Sequence, residues 1–129
     1  MSKSILIVDE ERHIRTLLEH TLSLFEEEDV TIRLAASGQE ALEECRRSPP
    51  DLVFVDARLS DVHGKRFFDS LRLDPGARHT QIILMVDKGW EVDVHHEAGG
   101  SITHVIVKPF DPEALRLLTG RLLGIDVEP

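Results

Sequence analysis

"DLVFVDARLSDVHG", residues 51–64, carries four consecutive apolar residues, Leu52-Val53-Phe54-Val55, that stop on the carboxylate of Asp56 and give way to a loop closed by Gly64. An apolar run of that length bounded by polar residues fits a strand covered on both faces, as in a parallel sheet. A carboxylate where such a strand emerges either caps the next segment or does chemistry. The rest of the chain decides between the two.

Working outward, Ser4–Asp9 reads as a second buried strand. Ile14, Leu17, Leu18, Thr21, Leu22 and Phe25 then recur at helical spacing. Val30, Ile32 and Leu34 alternate with polar residues as a strand does. The acidic run Glu26-Glu27-Glu28-Asp29 reads as a solvated loop, and because it opposes a helix C-terminal dipole, the first helix is expected to end near Phe25. "ASGQEALEECRR" is a helix with Ser37 as N-cap and Ala41, Leu42 and Cys45 inward, ended by "SPPD". Beyond Gly64, a helix carries Phe67, Phe68 and Leu71, "DPGARH" is a turn, and Ile82–Val86 is another buried strand. Val105–Val107 is the last strand, and Asp111-Pro112-Glu113 opens the final helix with an N-cap, a first-turn proline and a first-turn acid. In "WEVDVHHEAGG" the spacing serves either a strand or a helix, and the surrounding alternation selects helix.

Strands alternating with helices imply an α/β fold, a doubly wound parallel sheet with helices on both faces. Ligands of such folds sit beyond the carboxyl ends of the strands. The 129 residues suffice for one domain with its own core, with 41% hydrophobic residues and a formal net charge of −9. That charge repels phosphate backbones and anionic lipid heads, so neither nucleic acid nor membrane is an expected partner. No stretch reaches the length needed to cross a bilayer, and the apolar run near the N-terminus is too short for a secretion signal. The single Cys45 has no internal partner for a disulfide, and a cytoplasmic setting is expected.

Three strand ends then matter. The first brings Asp9-Glu10-Glu11, the strand of residues 52–55 brings Asp56, and the last brings Lys108-Pro109-Phe110. Crowded carboxylates raise one another's pKa unless a cation joins them. Lys108 offsets one charge, and Mg²⁺ would offset two more, since it takes one or two carboxylates plus waters and keeps room for a phosphate oxygen. A carboxylate beside a metal and a lysine can attack a phosphoryl donor and become an aspartyl phosphate.

On "ILIVDEE", "DLVFVDARLSDVHG" and "VKPF", from about Ser4 to Leu123, the chain resembles the receiver domain of two-component response regulators. The resemblance implies a five-stranded flavodoxin-like sheet in the order 2-1-3-4-5, one receiver domain over residues 1–129, and a phosphoacceptor that is not an enzyme. By matching position, Asp56 is the phosphorylation site. Glu10 is the direct Mg²⁺ ligand, Asp9 acts largely through water, Asp56 joins them, and the backbone carbonyl of Arg58 completes the protein's share of the shell. Lys108 pairs with the phosphoryl oxygens, and its bond to Pro109 is cis. The implied partners are a histidine kinase or phosphotransfer protein and a downstream target or fused output domain. A homodimer through the face of the fourth helix, last strand and last helix is also implied.

The departures concern switching. The family's fourth strand ends in Thr or Ser and then a small residue, where this chain has Val86 and Asp87, and its aromatic residue before the lysine is Val105 here. The expectation is a weak or non-standard conformational response, with Asp87 either adding an anion near the site or pairing with Lys88. Ser60 replaces a common proline with little expected chemical effect, while Arg58 and Lys88 stand where the family tunes the lifetime of its aspartyl phosphate. The competing reading is a pseudo-receiver, a phosphorylation-independent protein-interaction module. A metal-dependent phosphohydrolase ranks last, because Arg58 stands where such enzymes place a second acid. His95, His96 and His104 lack the cysteine or acid partners of a metal site. Trp90, the only tryptophan, reads as core cover or as a partner anchor.

Overall fold

Strand alternation sorts the apolar residues into two layers. The computed structural model describes residues 2–62, 64–89 and 103–127, apart from the side chains of residues 64 and 65. The five strands are β1 (Lys3–Val8), β2 (Val30–Ala35), β3 (Leu52–Asp56), β4 (Gln81–Asp87) and β5 (His104–Lys108), all paired in parallel in the order β2-β1-β3-β4-β5. The described α-helices are α1 (Arg12–Thr21), α2 (Gly38–Arg47), α3 (Gly64–Leu73) and α4 (Pro112–Leu123). On one face of the sheet Leu6, Val8, Val53, Val55, Leu84 and Val86 pack with Ala41 and Cys45 of α2 and Phe67, Phe68 and Leu71 of α3. On the other, Ile5, Ile7, Leu52, Phe54, Ile83 and Met85 pack with Leu18 of α1 and Leu115 and Leu123 of α4. This is the expected doubly wound sheet in its expected order.

The caps behave as the sequence predicts. Ser37 accepts a hydrogen bond from the Glu40 N–H at 3.1 Å, and Asp111 accepts one from the Ala114 N–H at 3.2 Å. The Lys108–Pro109 bond is cis. One boundary differs. The first helix ends at Thr21, and Glu26, Glu27 and Glu28 of the acidic run close a separate 3-10 segment, Ser23–Glu28, before its last acid, a left-handed Asp29 with φ 61°. The tighter winding brings residues three apart onto one side. Leu22 and Phe25 therefore both enter the core, joined by a Phe25 N–H to Leu22 carbonyl bond of 3.0 Å, while the acids stay in solvent. The helix expected in "WEVDVHHEAGG", with Trp90, His95 and His96, lies outside the described residues. His104 opens β5. Among the described residues no helix is long and apolar enough to cross a membrane.

Among the described glycines, Gly120 comes closest to another stretch of backbone. A Cβ there would lie 2.6 Å from the Ile125 carbonyl oxygen and 2.6 Å from Val127 Cγ2, where the chain folds back over α4. Gly120→Ala is expected to destabilise the fold by about 1–3 kcal/mol in urea unfolding, overpacking outweighing the better helix propensity of alanine. An unchanged or higher unfolding midpoint would show that the 125–127 segment yields without cost.

Candidate functional site

The alternation that builds the core also builds the site. Counting on from Ile5 and Ile7 reaches Asp9, from Leu52 and Phe54 reaches Asp56, and from Ile106 reaches Lys108, so all three polar residues continue rows that face α1 and α4. The register aligns two of them, because Val8 pairs with Val55 and the next residues are Asp9 and Asp56. Lys108 lies further along, opposite Asp87. Its long side chain reaches back, Nζ donating to Asp9 Oδ2 at 2.9 Å and standing 3.6 Å from Asp56 Oδ1.

Asp9 is fully buried, and both its oxygens are engaged. Oδ1 accepts the Glu11 N–H at 2.9 Å and Oδ2 takes the ammonium group. Arg15 donates to the Asp9 carbonyl at 2.7 Å and ties α1 to the end of β1. Burial pushes the Asp56 carboxyl above the usual carboxylate range; the Lys108 ammonium pulls it down, the charge of Asp9 raises it, and the Arg58 N–H, at 3.3 Å, opposes the rise. Burial alone would lower the Lys108 pKa, but the hydrogen bond to Asp9 and the charges of Asp56, Asp9 and Asp87 outweigh it and hold it above the ordinary lysine value.

The contacts of Lys108 thus join Asp9 and Asp56. Glu10 goes elsewhere: Oε1 accepts the Ser60 N–H at 2.7 Å and Oε2 the Ser60 hydroxyl at 2.5 Å. Carboxylates and the Arg58 carbonyl are the hard oxygen donors that Mg²⁺ takes. By donor chemistry the set fits the ion, although among the described residues no three acidic, histidine or cysteine side chains gather closely enough to hold one.

Val86 and Val105 lie on the opposite face from Lys108, Val86 buried and Val105 half-buried in the layer with α2 and α3. Asp87 lies 3.3 Å from Arg58 Nη1, no Asp87–Lys88 ion pair forms among the described residues, and its charge reaches the site through Lys108. Sequence reasoning missed that pair and the Ser60 clamp. It also missed Asp61, whose carboxylate accepts the N–H groups of Gly38 at 3.0 Å and Gln39 at 2.9 Å. The Gln39 N–H, with that of Gly38, holds the Asp61 carboxyl below the usual range despite slight desolvation. The signal for Asp61 was available, since an acid suits the open N–H groups at the start of α2.

Asp56 holds its proton more tightly folded than unfolded. Between its ordinary value of 3.8 and its raised folded value, the folded chain binds more protons, so stability falls as pH rises through that window. Asp56→Asn is therefore expected to raise the thermal midpoint at pH 7, with the gain shrinking on acidification toward pH 4. A gain that stays constant with pH would contradict this assignment of the buried charge.

The family model for the response regulator receiver domain matches residues 5–119. Protein Rrf1 of Nitratidesulfovibrio vulgaris is 33% identical over 125 residues, covering 96% of this chain and 85% of that protein. Transcriptional regulatory protein SrrA of Staphylococcus aureus is 34% identical over 123 residues, covering 95% of this chain but 48% of its own length. The chain thus spans about half of SrrA. In fold, it is similar to the receiver domain of sensor histidine kinase PA1611 from Pseudomonas aeruginosa, with a TM-score of 0.81, 22% identity and coverage of 96% and 99% of the two chains. That structure has a magnesium ion coordinated in its active-site cleft. The strand order, the rim at the strand ends and these matches agree, and the chain belongs to the receiver domains of response regulators, the phosphorelay modules of two-component signal transduction.

Proposed function

We propose that Asp56 is the phosphoacceptor of this receiver domain, which residues 1–129 form as one unit. A carboxylate oxygen of Asp56 attacks the phosphorus of a phosphohistidine on a histidine kinase or phosphotransfer protein. The new O–P bond forms as the P–N bond breaks, and the imidazole leaves with a proton. The observation that carries this reading is the Lys108 ammonium, 2.9 Å from Asp9 and 3.6 Å from Asp56 at the rim of the sheet. It keeps a desolvated carboxylate ionisable and offers a cation to the incoming phosphoryl oxygens. Asp9, Glu10, Asp56 and the Arg58 carbonyl would hold Mg²⁺, which supplies charge neutralisation at the phosphoryl group. The role is that of a cytoplasmic signalling acceptor rather than an enzyme with turnover. The groove beside β5 and α4, lined by Ile106, Pro109, Phe110, Ala114 and Leu118, suits a downstream target, a fused output domain or a second copy.

The switch is weak. A hydroxyl donating to a phosphoryl group contributes about 1.5–3 kcal/mol, whereas moving a two-state domain from mostly off to mostly on takes about 5.5 kcal/mol. Val86 offers no such donor, and its methyl groups are committed to the apolar layer.

Incubation with acetyl phosphate and Mg²⁺ is expected to add one phosphoryl group by intact mass, and Asp56→Ala to abolish it. A label that persists in Asp56→Ala, or no label from any donor including a cognate kinase, would overturn the assignment. Val86→Thr is expected to cost about 1 kcal/mol of stability, from a buried hydroxyl in the apolar layer. The same variant should broaden the phosphorylation-dependent amide shifts into β4 and β5. Equally broad shifts in the unsubstituted protein would refute the weak switch.

A further inference from the structure

Ser60 grips both oxygens of Glu10, its N–H at 2.7 Å from Oε1 and its hydroxyl at 2.5 Å from Oε2. The two residues come from different strand ends, Glu10 just after β1 and Ser60 four residues beyond Asp56, so the contact bridges the rim beside the phosphoacceptor. Glu10 is solvent-exposed, and nothing buries the carboxylate into this pose; the two hydrogen bonds set its direction. A proline at position 60 would have neither the N–H nor the hydroxyl.

We propose that Ser60 is a positioning residue that latches Glu10 and competes with a divalent cation for its carboxylate, so that this chain binds Mg²⁺ more weakly than its donor set allows. The inference rests on the metal-binding reading of Glu10 and goes beyond it by naming what restrains that ligand. A carboxylate that accepts two hydrogen bonds has less charge density to offer and a rotamer fixed toward the loop. Mg²⁺ is exacting about geometry. To coordinate, Glu10 must loosen its hold on Ser60, and the loss of those bonds is subtracted from metal affinity. Consistent with a diverted ligand, no metal-holding group of three side chains forms among the described residues. Leu59, buried beside Ser60, anchors the loop in the apolar layer and leaves Ser60 little room to follow Glu10.

The test is Mg²⁺ binding by titration calorimetry on the unphosphorylated chain, with Ser60→Ala and Ser60→Pro. Ser60→Ala keeps the N–H and removes the hydroxyl, while Ser60→Pro removes both. Affinity is expected to rise in that order, reaching about three- to tenfold above the unsubstituted protein. Should the proline variant fail to fold, the alanine variant alone still has to bind more tightly. Equal or weaker binding in the variants would overturn the latch while leaving the metal site standing. No binding by any of the proteins would overturn the metal reading and the latch with it.

Discussion

A single ammonium group holds the site together. Asp9 is buried completely, and Asp56 is half-buried at the neighbouring strand end; two such carboxylates repel, and each resents the loss of water. Lys108 answers both, and its own side chain is largely shielded, with 16% of its surface exposed. Removing one member of a buried pair typically costs about 3–5 kcal/mol, because the partner is left charged and unpaired. The close pair of Asp9 and Lys108 is therefore stable only together, whereas Asp56 carries the charge that folding disfavours. What makes the rim chemically useful is that the set is imperfect, since Asp56 keeps a longer and weaker share of the ammonium than Asp9 does.

This set follows from the sheet. In a parallel ladder with a two-residue repeat, a polar residue placed just past an apolar row inherits that row's face. Asp9, Asp56 and Lys108 each continue a row that packs under α1 and α4. Val86, in the opposite row, belongs to the layer under α2 and α3. One face carries the charges at its rim, and the other stays apolar to the end. A valine at position 86 therefore suits the apolar layer it packs in, at the expense of a hydroxyl.

How much of this was legible in the sequence depends on range. The apolar runs at 5–8, 52–55 and 82–86, with the caps Ser37 and Asp111, are local signals, and the structure bears them out. The meeting of Asp9, Asp56 and Lys108 was legible because strand periodicity is strict. The end of α1 was not, because a 3-10 segment and an α-helix share the three-residue spacing of Leu22 and Phe25. Nor could periodicity choose partners for exposed side chains. Asp87 had Lys88 beside it in sequence and lies instead against Arg58, and Glu10 found Ser60 fifty positions away. Both choices depend on how the loop after β3 lies over the rim, which no repeat encodes.

That loop is tied to three elements through residues almost adjacent in sequence. Arg58 reaches Asp87 at the end of β4, Ser60 holds Glu10 after β1, and Asp61 caps the first N–H groups of α2. Leu59 between them is sunk in the core layer. Each tether is an exposed or partly buried polar contact, individually weak, but together they fix the loop that leads away from Asp56 through Arg58. A phosphoryl group on Asp56, as proposed, would act first on Lys108 and Asp9, whose charges already bear on it, and on the loop through the Arg58 N–H; Arg58 and Glu10 carry that load onward. Both are already bonded to other strand ends. On the proposed assignment of Asp56, its modification would load β1, β4 and α2 through the loop, with valines at positions 86 and 105 offering neither a hydroxyl nor an aromatic ring.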